Sequence, residues 1–447
     1  MPTTKFTTPE KYTYLTGFGG YHESEALPGT LPEAQSTPQK PSYGLYTERI
    51  SGSSFVAARS ENRHTWLYRI VPSAAHAPFE CEPNSLQLPD EKLLFTPTQM
   101  RWDPFDVNEK ADWVHSMQLI AGAGEPSTRS GVAYHIFSAG QSMEPRSVYY
   151  SADGDLLVIL QQGVLDIRTE LGYLLVRPNE ICVIPRGIRY NVALPEGPVR
   201  GYSVELHQGS FTLPELGPIG SNGLANARDF QIPKSSFDED TDNEYQIYVK
   251  FNGQLFKALQ DHSPFDIVGW HGAYYPYKYD LGRFLTFGSV SYDHPDPSIF
   301  TVLSSSEKIV ELAAFTPRWL TMEDTFRPPY YHRNTMSEYM GLITGGYDAR
   351  TKGFLPGGAT LHNVMSAHDP DSESHHAATH AELTPQKVGE GSMAFILESP
   401  LILGLSQWAL ETSGKRQLHY NASTWLPLKP RFSSKGAGEM NGHPIEK

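Results

Sequence analysis

The segment VYYSADGDLLVILQQGVLDIRTELGYLLVRPNEICVIPRGIRYNVAL, residues 148–194, decides the fold of this chain. Its apolar runs are short, and the turn-forming sequences DG, QQG, ELG, PNE and PRG separate them. Apolar runs of roughly four to eight residues, with a turn signal about every eight to twelve, are typical of strands in an antiparallel sandwich or barrel. The segment therefore predicts an antiparallel β-structure.

The order of these strands and turns is similar to the second half of a jelly-roll barrel of the cupin type. Cupin barrels that bind a metal place histidines at the corresponding turns. In this segment the equivalent positions hold Tyr190 and either Asp153 or Asp155. We therefore expect this first barrel to bind no metal.

Length and composition extend the prediction to the whole chain. A chain of 447 residues, 39% of them apolar, is long enough for about two or three cores. The 24 Tyr and 21 Phe, beside 38 Gly and 35 Pro, favour many short strands joined by turns. The predicted fold class is mainly β, jelly-roll or cupin-like, with a lone helix near residues 243–259.

An aromatic, turn-rich stretch, HGAYYPYKYDLGRF, suggests a domain boundary at its end, near residue 284. Residues 1–284 are predicted to form an N-terminal β-rich domain that includes the metal-free barrel. Residues 285–447 contain further short apolar runs, so they are predicted to form a second, cupin-like domain that performs the chemistry. Residues 29–46 are expected to form an ordered but irregular arm that covers another surface.

The charge and the cysteine content limit the partners and the compartment. A formal net charge of −14 disfavours nucleic acid and anionic membranes as partners, because both require a concentrated basic surface. Cys81 and Cys182 are the two cysteines, and the one disulfide that they could form cannot stabilise a chain of this size. This cysteine content favours a reducing compartment. Because the first residues lack a signal-peptide core and no later stretch is apolar enough to cross a bilayer, we expect a cytoplasmic protein.

The sequence RPPYYHRNTMSEYMGL, residues 327–342, contains the first two candidate metal ligands, His332 and Glu338. Six residues along a straight strand span about 20 Å, and six along a helix rotate the side chains apart by about 240°. Both side chains can therefore reach one ion only if the chain turns between them. If Glu338 opens the strand that follows, then Glu338, Met340 and Leu342 face inward together.

A second histidine cluster follows in FLPGGATLHNVMSAH, residues 354–368. A Pro-Gly-Gly turn precedes His362 and His368, and spacing leaves both as candidates for the third ligand. Two His and one Glu leave three coordination positions open, which suits Fe(II) with a bidentate substrate and O₂. A zinc hydrolase would more often carry a third His or an HExxH helix. The denser DSESHHAATH tract, residues 371–380, lacks an apolar framework and is interpreted as a solvated loop.

Long strings of this sequence resemble the homogentisate 1,2-dioxygenase family over nearly the whole chain. The strings that support this resemblance include GTLPEAQ (29–35), ISGSSF (50–55), NEICVIPRG (179–187), LGPIGSNGLANARDF (216–230), HGAYYPYKY (271–279), DHPDPSIFTVL (293–303) and RPPYYHRNTMSEYMGLI (327–343). The resemblance implies that His332, Glu338 and His368 hold Fe(II), so it selects His368 as the third ligand. It further implies an acid–base role for His294 and assigns substrate binding to Tyr347 and His368.

The same resemblance implies the architecture, the reaction and the assembly. It implies an N-terminal β-rich domain, a central sandwich and a C-terminal metal-binding domain, with six subunits arranged as a dimer of trimers. The implied substrates are homogentisate and O₂, and the implied product is maleylacetoacetate, formed in tyrosine and phenylalanine catabolism. Two alternatives stay open: a related cupin dioxygenase for gentisate-like substrates, and a bicupin that binds metal without turnover.

Overall fold

The structure, a computed structural model, describes residues 4–83, 93–347 and 352–432. Residues 433–447 of the predicted C-terminal domain lie outside this description. Within the described ranges most regular structure is β-strand, which confirms the predicted fold class.

The strands of the first half are β1 (Tyr14–Thr16), β2 (His22–Glu25), β3 (Tyr46–Ser51), β4 (His64–Arg69), β5 (Glu80–Cys81), β6 (Met100–Trp102), β7 (Met117–Glu125), β8 (Ser130–Ala139), β9 (Ser147–Ser151), β10 (Asp155–Gln162), β11 (Leu165–Thr169), β12 (Gly172–Val176), β13 (Glu180–Ile184), β14 (Tyr190–Ala193) and β15 (Val199–Leu206). Those that follow are β16 (Phe211–Thr212), β17 (Gln231–Pro233), β18 (Tyr245–Phe251), β19 (Gln254–Gln260), β20 (Ile267–Gly272), β21 (Tyr277–Asp280), β22 (Thr301–Ser305), β23 (Glu311–Phe315), β24 (Arg318–Leu320), β25 (Ser337–Thr344), β26 (Ala359–His362), β27 (Gln386–Val388), β28 (Met393–Ser399) and β29 (Gly404–Leu405).

Among the described residues, helical segments are few and short. The α-helices are α1 (Ser372–His380) and α2 (Tyr420–Thr424). A π-helical turn spans Trp408–Thr412. The 3₁₀ turns are Ser42–Gly44, Trp113–His115, Pro126–Thr128, Gly217–Asn222, Ala227–Asp229, Leu281–Arg283 and Pro297–Phe300.

The N-terminal barrel consists of two facing sheets. The first has the strand order β1-β17-β21-β13-β10-β15-β8-β7-β29, and the second has the order β12-β11-β14-β9-β18-β19-β5. The segment 148–194 supplies β10 and β13 to the first sheet and β9, β11, β12 and β14 to the second. Side chains from both sheets, such as Leu157 and Ile167, meet in one apolar core. The strand pattern of this segment therefore does determine the barrel.

Turns between these strands depend on residues that tolerate a left-handed backbone. Gly163 of the QQG turn has φ +80°, and a Cβ there would lie 2.6 Å from the Pro198 carbonyl oxygen. Asn179 of the PNE turn has φ +75°, a conformation that Asn adopts more readily than most residues. The turn signals in the sequence thus correspond to real backbone requirements.

The prediction of a helix near residues 243–259 is wrong, because this stretch forms a β-hairpin. Strands β18 and β19 pair in antiparallel register through the two-residue turn Asn252-Gly253. Both turn residues have positive φ, 50° and 73°, and an Asn-Gly pair is a strong signal for such a turn. The hairpin places alternate residues of β18 on the core side, for example Ile247 and Val249.

The prediction of a loop for residues 371–380 is also wrong, because residues Ser372–His380 form α1. Asp371 caps this helix by accepting a hydrogen bond from the Ser374 backbone N–H at 2.7 Å. An Asp at this position satisfies a backbone donor that the first helical turn leaves free. The helix remains largely exposed, in agreement with the polar character of the tract.

The C-terminal half centres on a third sheet with the strand order β16-β22-β23-β28-β25-β26-β6. Strands β6 and β16 come from residues 1–284, and β29 pairs with β7 in the N-terminal barrel. The strand β25 has two buried faces. Met340 and Leu342 contribute to one apolar cluster, whereas Tyr339 and Ile343 pack into the large core shared with the N-terminal barrel. The halves therefore interlock, and the barrel core supports the back of β25.

Two further observations concern the predictions about membrane spans and about the cysteines. No helix within the described ranges is long and apolar enough to span a membrane. Cys81 is exposed and Cys182 is buried, and both are free thiols. Burial raises the pKa of the Cys182 thiol, which keeps it protonated and unreactive.

Candidate metal centre and its cavity

Two imidazoles and one carboxylate converge at the start of β25. His332, Glu338 and His368 each offer a ligand atom, and these atoms lie within 4.8 Å of one another. His332 and His368 pair through their backbones, each N–H donating to the other's carbonyl oxygen at 3.2 Å. This short bridge brings together two residues that are 36 positions apart in the sequence.

The chain bends between His332 and Glu338, as the spacing argument requires. The bend depends on Asn334, whose side-chain oxygen accepts a hydrogen bond from the Met336 backbone N–H at 2.5 Å. Its amide nitrogen donates to Glu338 Oε1, and its backbone oxygen accepts from the Met365 N–H at 2.9 Å. The sequence interpretation gave Asn334 no role, although an Asn in a polar turn is a common bracing residue.

The ring orientations suit a metal ion. His332 Nδ1 lies 2.8 Å from the Tyr330 carbonyl oxygen, and His368 Nδ1 lies 2.8 Å from the Ser366 carbonyl oxygen. Since a carbonyl can only accept, each Nδ1 carries a proton, and each Nε2 faces Glu338, at 3.3 Å and 2.9 Å. Backbone carbonyls commonly hold metal-binding imidazoles in this tautomer. Two imidazoles and one carboxylate that leave further positions open fit Fe(II).

The other candidate, His362, lies behind the centre. It is the register partner of Glu338 on β26, and its Nε2 lies 3.0 Å from the Tyr420 hydroxyl. Its ring stacks on the His368 ring at a centroid distance of 4.2 Å. His362 is not part of the group of ligand atoms around Glu338. The fold therefore brings His368 to Glu338 and uses His362 to support the His368 ring.

Contacts within the candidate centre shift the pKa values of Glu338 and His332. Burial favours the neutral Glu338 carboxyl, but hydrogen bonds from His332 and His368 outweigh this effect and lower its pKa to about 2. Burial also disfavours a charged His332, but hydrogen bonds to Glu338 and to the Tyr330 carbonyl outweigh it and raise the pKa to about 9. Near neutral pH the carboxylate is ionised and His332 holds a proton.

Metal binding should therefore release a proton. A metal ligand must present a lone pair, so the proton that His332 holds below its pKa of about 9 has to leave when an ion binds. We expect Fe(II) or Co²⁺ to displace about one proton per site at pH 7, and metal affinity to rise with pH until His332 is neutral. Calorimetric titrations in buffers of different ionisation enthalpy measure this release. Metal binding with no proton release at pH 7 would contradict the assignment.

A cavity of about 440 Å³ opens beside the centre. His332 and Glu338 line it, and so do His294, Tyr347 and Glu398. This volume is within the usual range for a small-molecule site. A larger cavity of about 760 Å³ lies between α1 and residues 427–431, but none of the three candidate ligands lines it. The candidate metal centre therefore lies at the smaller cavity.

His294 lies in the wall of this cavity. Its Nδ1 is 2.8 Å from the Pro295 carbonyl oxygen, so Nδ1 carries the proton and Nε2 is the basic nitrogen of the neutral ring. The ring meets Tyr330 edge-on at a centroid distance of 5.7 Å. Asp296 caps the following 3₁₀ turn by accepting from the Ser298 N–H at 2.9 Å. Orientation of His294 by a neighbouring aspartate stays a prediction.

Tyr347 closes another side of the cavity. It follows the turn at Gly345, which has φ +74°, and it is 8% exposed. Its ring meets Phe315 edge-on at 5.4 Å and packs in the apolar cluster beneath the cavity. The structure thus places Tyr347 both against the core and at the cavity surface.

Glu398 is the cavity residue that the sequence interpretation missed. Its position on β28 faces Glu338 on one side and Glu311 on the other. Burial, together with the charges of Glu338 and Glu311, raises its pKa to about 7. The sequence signal is in MAFILES, where Glu398 is the one charged residue and follows five apolar residues.

The histidines of α1 lie apart from the candidate ligands. His375 packs against the Tyr331 ring at 5.6 Å and lines the larger cavity with His376. His376 and His380 stack on each other at 4.3 Å along one face of the helix. None of the three belongs to the group of ligand atoms around Glu338.

The fold and the site together define a class: a mainly β protein whose C-terminal sheet carries a His-Glu-His set that can hold a metal. The family described as homogentisate 1,2-dioxygenase matches the chain in two parts, its N-terminal model at residues 13–281 and its C-terminal model at residues 282–432. The chain belongs to the homogentisate 1,2-dioxygenase family.

Curated relatives agree with this membership. The chain is 58% identical over 442 residues to the homogentisate 1,2-dioxygenase of Emericella nidulans, with 97% of this chain and 98% of the relative covered. It is 48% identical over 436 residues to that of Drosophila melanogaster, with 94% and 98% covered. A cupin-2 domain protein of Shewanella frigidimarina is similar over 22% of this chain and 83% of its own, at 18% identity and a TM-score of 0.18. Family membership therefore rests on the sequence matches.

Proposed function

We propose that this protein opens the aromatic ring of homogentisate with O₂ and releases maleylacetoacetate. The bond that breaks joins the ring carbon bearing a hydroxyl to the carbon bearing the acetate arm, and both oxygen atoms of O₂ enter the product. The observation that supports this proposal most is the group of His332, Glu338 and His368 beside a substrate-sized cavity in a member of this family.

The proposed metal is Fe(II), held by His332, Glu338 and His368. When bound, Fe(II) supplies the one-electron chemistry that lets O₂ react with an aromatic ring. The Tyr330 and Ser366 carbonyls contribute by fixing the two imidazole tautomers. Asn334 contributes by holding the Glu338 carboxylate in place.

The remaining proposed roles belong to side chains in the cavity wall. His294 accepts the phenol proton at Nε2, since its Nδ1 is committed to the Pro295 carbonyl. Removal of this proton makes the ring electron-rich, which ring opening by O₂ requires. Tyr347 lies over the cavity from the end of the Glu338 strand and is proposed to contact the substrate.

Oxygen uptake tests the proposal directly. Purified protein supplied with Fe(II), ascorbate and homogentisate should consume one O₂ per homogentisate and form a ring-opened product. Gentisate in place of homogentisate should give much slower uptake, which separates this proposal from a gentisate-cleaving relative. If homogentisate causes no uptake at any iron loading, the proposal fails and a metal-binding bicupin without turnover remains.

We extend the proposal to organisation, assembly and location. The proposed domain boundary lies between residues 284 and 285, and the proposed assembly is a hexamer built as a dimer of trimers. The proposed location is the cytoplasm, where the protein would act in tyrosine and phenylalanine catabolism. Sedimentation of the purified protein measures the subunit number.

A further inference from the structure

Three glutamates stand side by side across neighbouring strands and line the cavity; we call Glu311, Glu398 and Glu338 the acidic row. Glu398 is the register partner of Glu338 in one direction and of Glu311 in the other. All three line the cavity, so their side chains share one face of the sheet. Direct cross-strand partners have Cβ atoms about 5 Å apart. The row therefore begins at the candidate metal centre and runs away from it along the cavity floor.

The members of the row differ sharply in their partners. Glu338 accepts a hydrogen bond from Asn334, and its two oxygens lie against His332 Nε2 and His368 Nε2. Glu398 is partly buried, yet its carboxyl has no hydrogen-bond or ion-pair partner among the residues that the structure describes. Its position in the cavity wall leaves this carboxyl accessible to a molecule that occupies the cavity. A carboxyl of this kind that faces a cavity is suited to a hydrogen bond from a bound ligand.

The next row of the same sheet provides an apolar surface beside Glu398. Ile396 lies two residues before Glu398, on the same face of β28, and it pairs with Ala313 on β23. Ile396 and Ala313 also line the cavity. An aromatic ring can therefore rest on this apolar patch while its polar edge faces the acidic row.

We propose that Glu398 accepts a hydrogen bond from the substrate hydroxyl that is farthest from the metal, and that it thereby determines specificity for a hydroquinone. This inference rests on the proposed function. The hydroxyl next to the acetate arm belongs at the metal end, beside Glu338, and the second hydroxyl lies at the opposite end of the ring. Glu398 is the next carboxyl along the row, and a carboxyl can accept this hydrogen bond in either protonation state.

This arrangement discriminates against phenols that lack the second hydroxyl. Such a phenol displaces water from Glu398 but cannot donate a hydrogen bond to it. Leaving this polar group unpaired strongly lowers the affinity for that phenol. The cost of leaving such an acceptor unpaired is enough to change affinity about 5- to 150-fold. We therefore expect 2-hydroxyphenylacetate, which retains the acetate arm and the adjacent hydroxyl, to bind more weakly than homogentisate by this factor.

Binding under argon tests the inference without turnover. Calorimetry on the Fe(II)-loaded protein gives the dissociation constants of homogentisate and 2-hydroxyphenylacetate, and their ratio is the quantity of interest. In E398A the ratio should fall close to one, because the acceptor is gone for both ligands. In E398Q, which keeps a carbonyl acceptor, part of the preference should return. E311A is the matched control, since it removes the same group one strand farther from the metal end, and it should retain the wild-type ratio.

The outcomes separate this inference from the proposed function. If the wild-type protein consumes O₂ with homogentisate but binds both ligands equally, the inference is wrong and the function stands. The inference is also wrong, and the function stands, if E398A folds, binds metal and keeps the wild-type ratio of the two dissociation constants. The wild-type comparison needs no substitution, so it decides the question even if E398A does not fold. If the wild-type protein fails to consume O₂ with homogentisate, the proposed function itself fails.

Discussion

Replacing Glu338 with Ala should remove the metal from the protein and abolish oxygen uptake with homogentisate. Glu338 is the single carboxylate of the candidate centre, and it lies between the two imidazoles at 3.3 Å and 2.9 Å. Loss of a residue that only supports a metal ligand typically costs about 10- to 100-fold in metal affinity or activity, and loss of a ligand should cost more. Iron content after gel filtration and oxygen uptake measure the effect.

Two variants control for this experiment. E398A removes the same side chain from the neighbouring strand, and it should keep the wild-type metal content because Glu398 is not part of the ligand group. N334A removes only the residue that braces Glu338, so metal affinity should fall by about 10- to 100-fold without being lost. An E338A protein that retains one iron per chain would show that the metal is held elsewhere.

Replacing His294 with Gln should lower kcat by about 100- to 10,000-fold, which is the usual contribution of a positioned acid–base group. Gln preserves polarity and approximate size but cannot accept the phenol proton near neutral pH. Metal content should stay at the wild-type value, because His294 is not in the ligand group. The measurements are steady-state oxygen uptake and iron content.

The pH profile distinguishes a base from a merely structural residue. Wild-type kcat should fall on the acid side as His294 becomes protonated, whereas the residual activity of H294Q should lack this His294-dependent limb. H115Q is the matched control, since His115 is an exposed histidine whose contact is a surface pair with Asp112. An H294Q variant with wild-type kcat would remove His294 from the mechanism.

The fold was predictable where local pattern and turn chemistry agreed. In residues 148–194 the apolar runs have strand length, and residues such as Asn179 and Gly163 mark turns that need positive φ. Residues 243–259, predicted as a helix, form a hairpin instead, as the Asn252-Gly253 turn signal indicates. This turn signal is local, because it depends on two adjacent residues that adopt positive φ.

Pairing between distant strands was not predictable in the same way. The sequence does not reveal that β6 joins the C-terminal sheet or that β29 joins the N-terminal barrel. It also does not reveal that Glu398 stands beside Glu338, because that neighbourhood depends on the register of β25 against β28. A shift of one residue in that register would turn Glu398 to the other face of the sheet.

The sequence by itself was sufficient to predict the strands of residues 148–194 and the need for a turn between His332 and Glu338. These features depend on side-chain period and on residues that are close together along the chain. Spacing could not choose between His362 and His368, since both follow the same Pro-Gly-Gly turn. The tertiary structure brings the His368 ring rather than the His362 ring to Glu338, because the backbone of His368 pairs with that of His332 while the His362 ring turns to Tyr420.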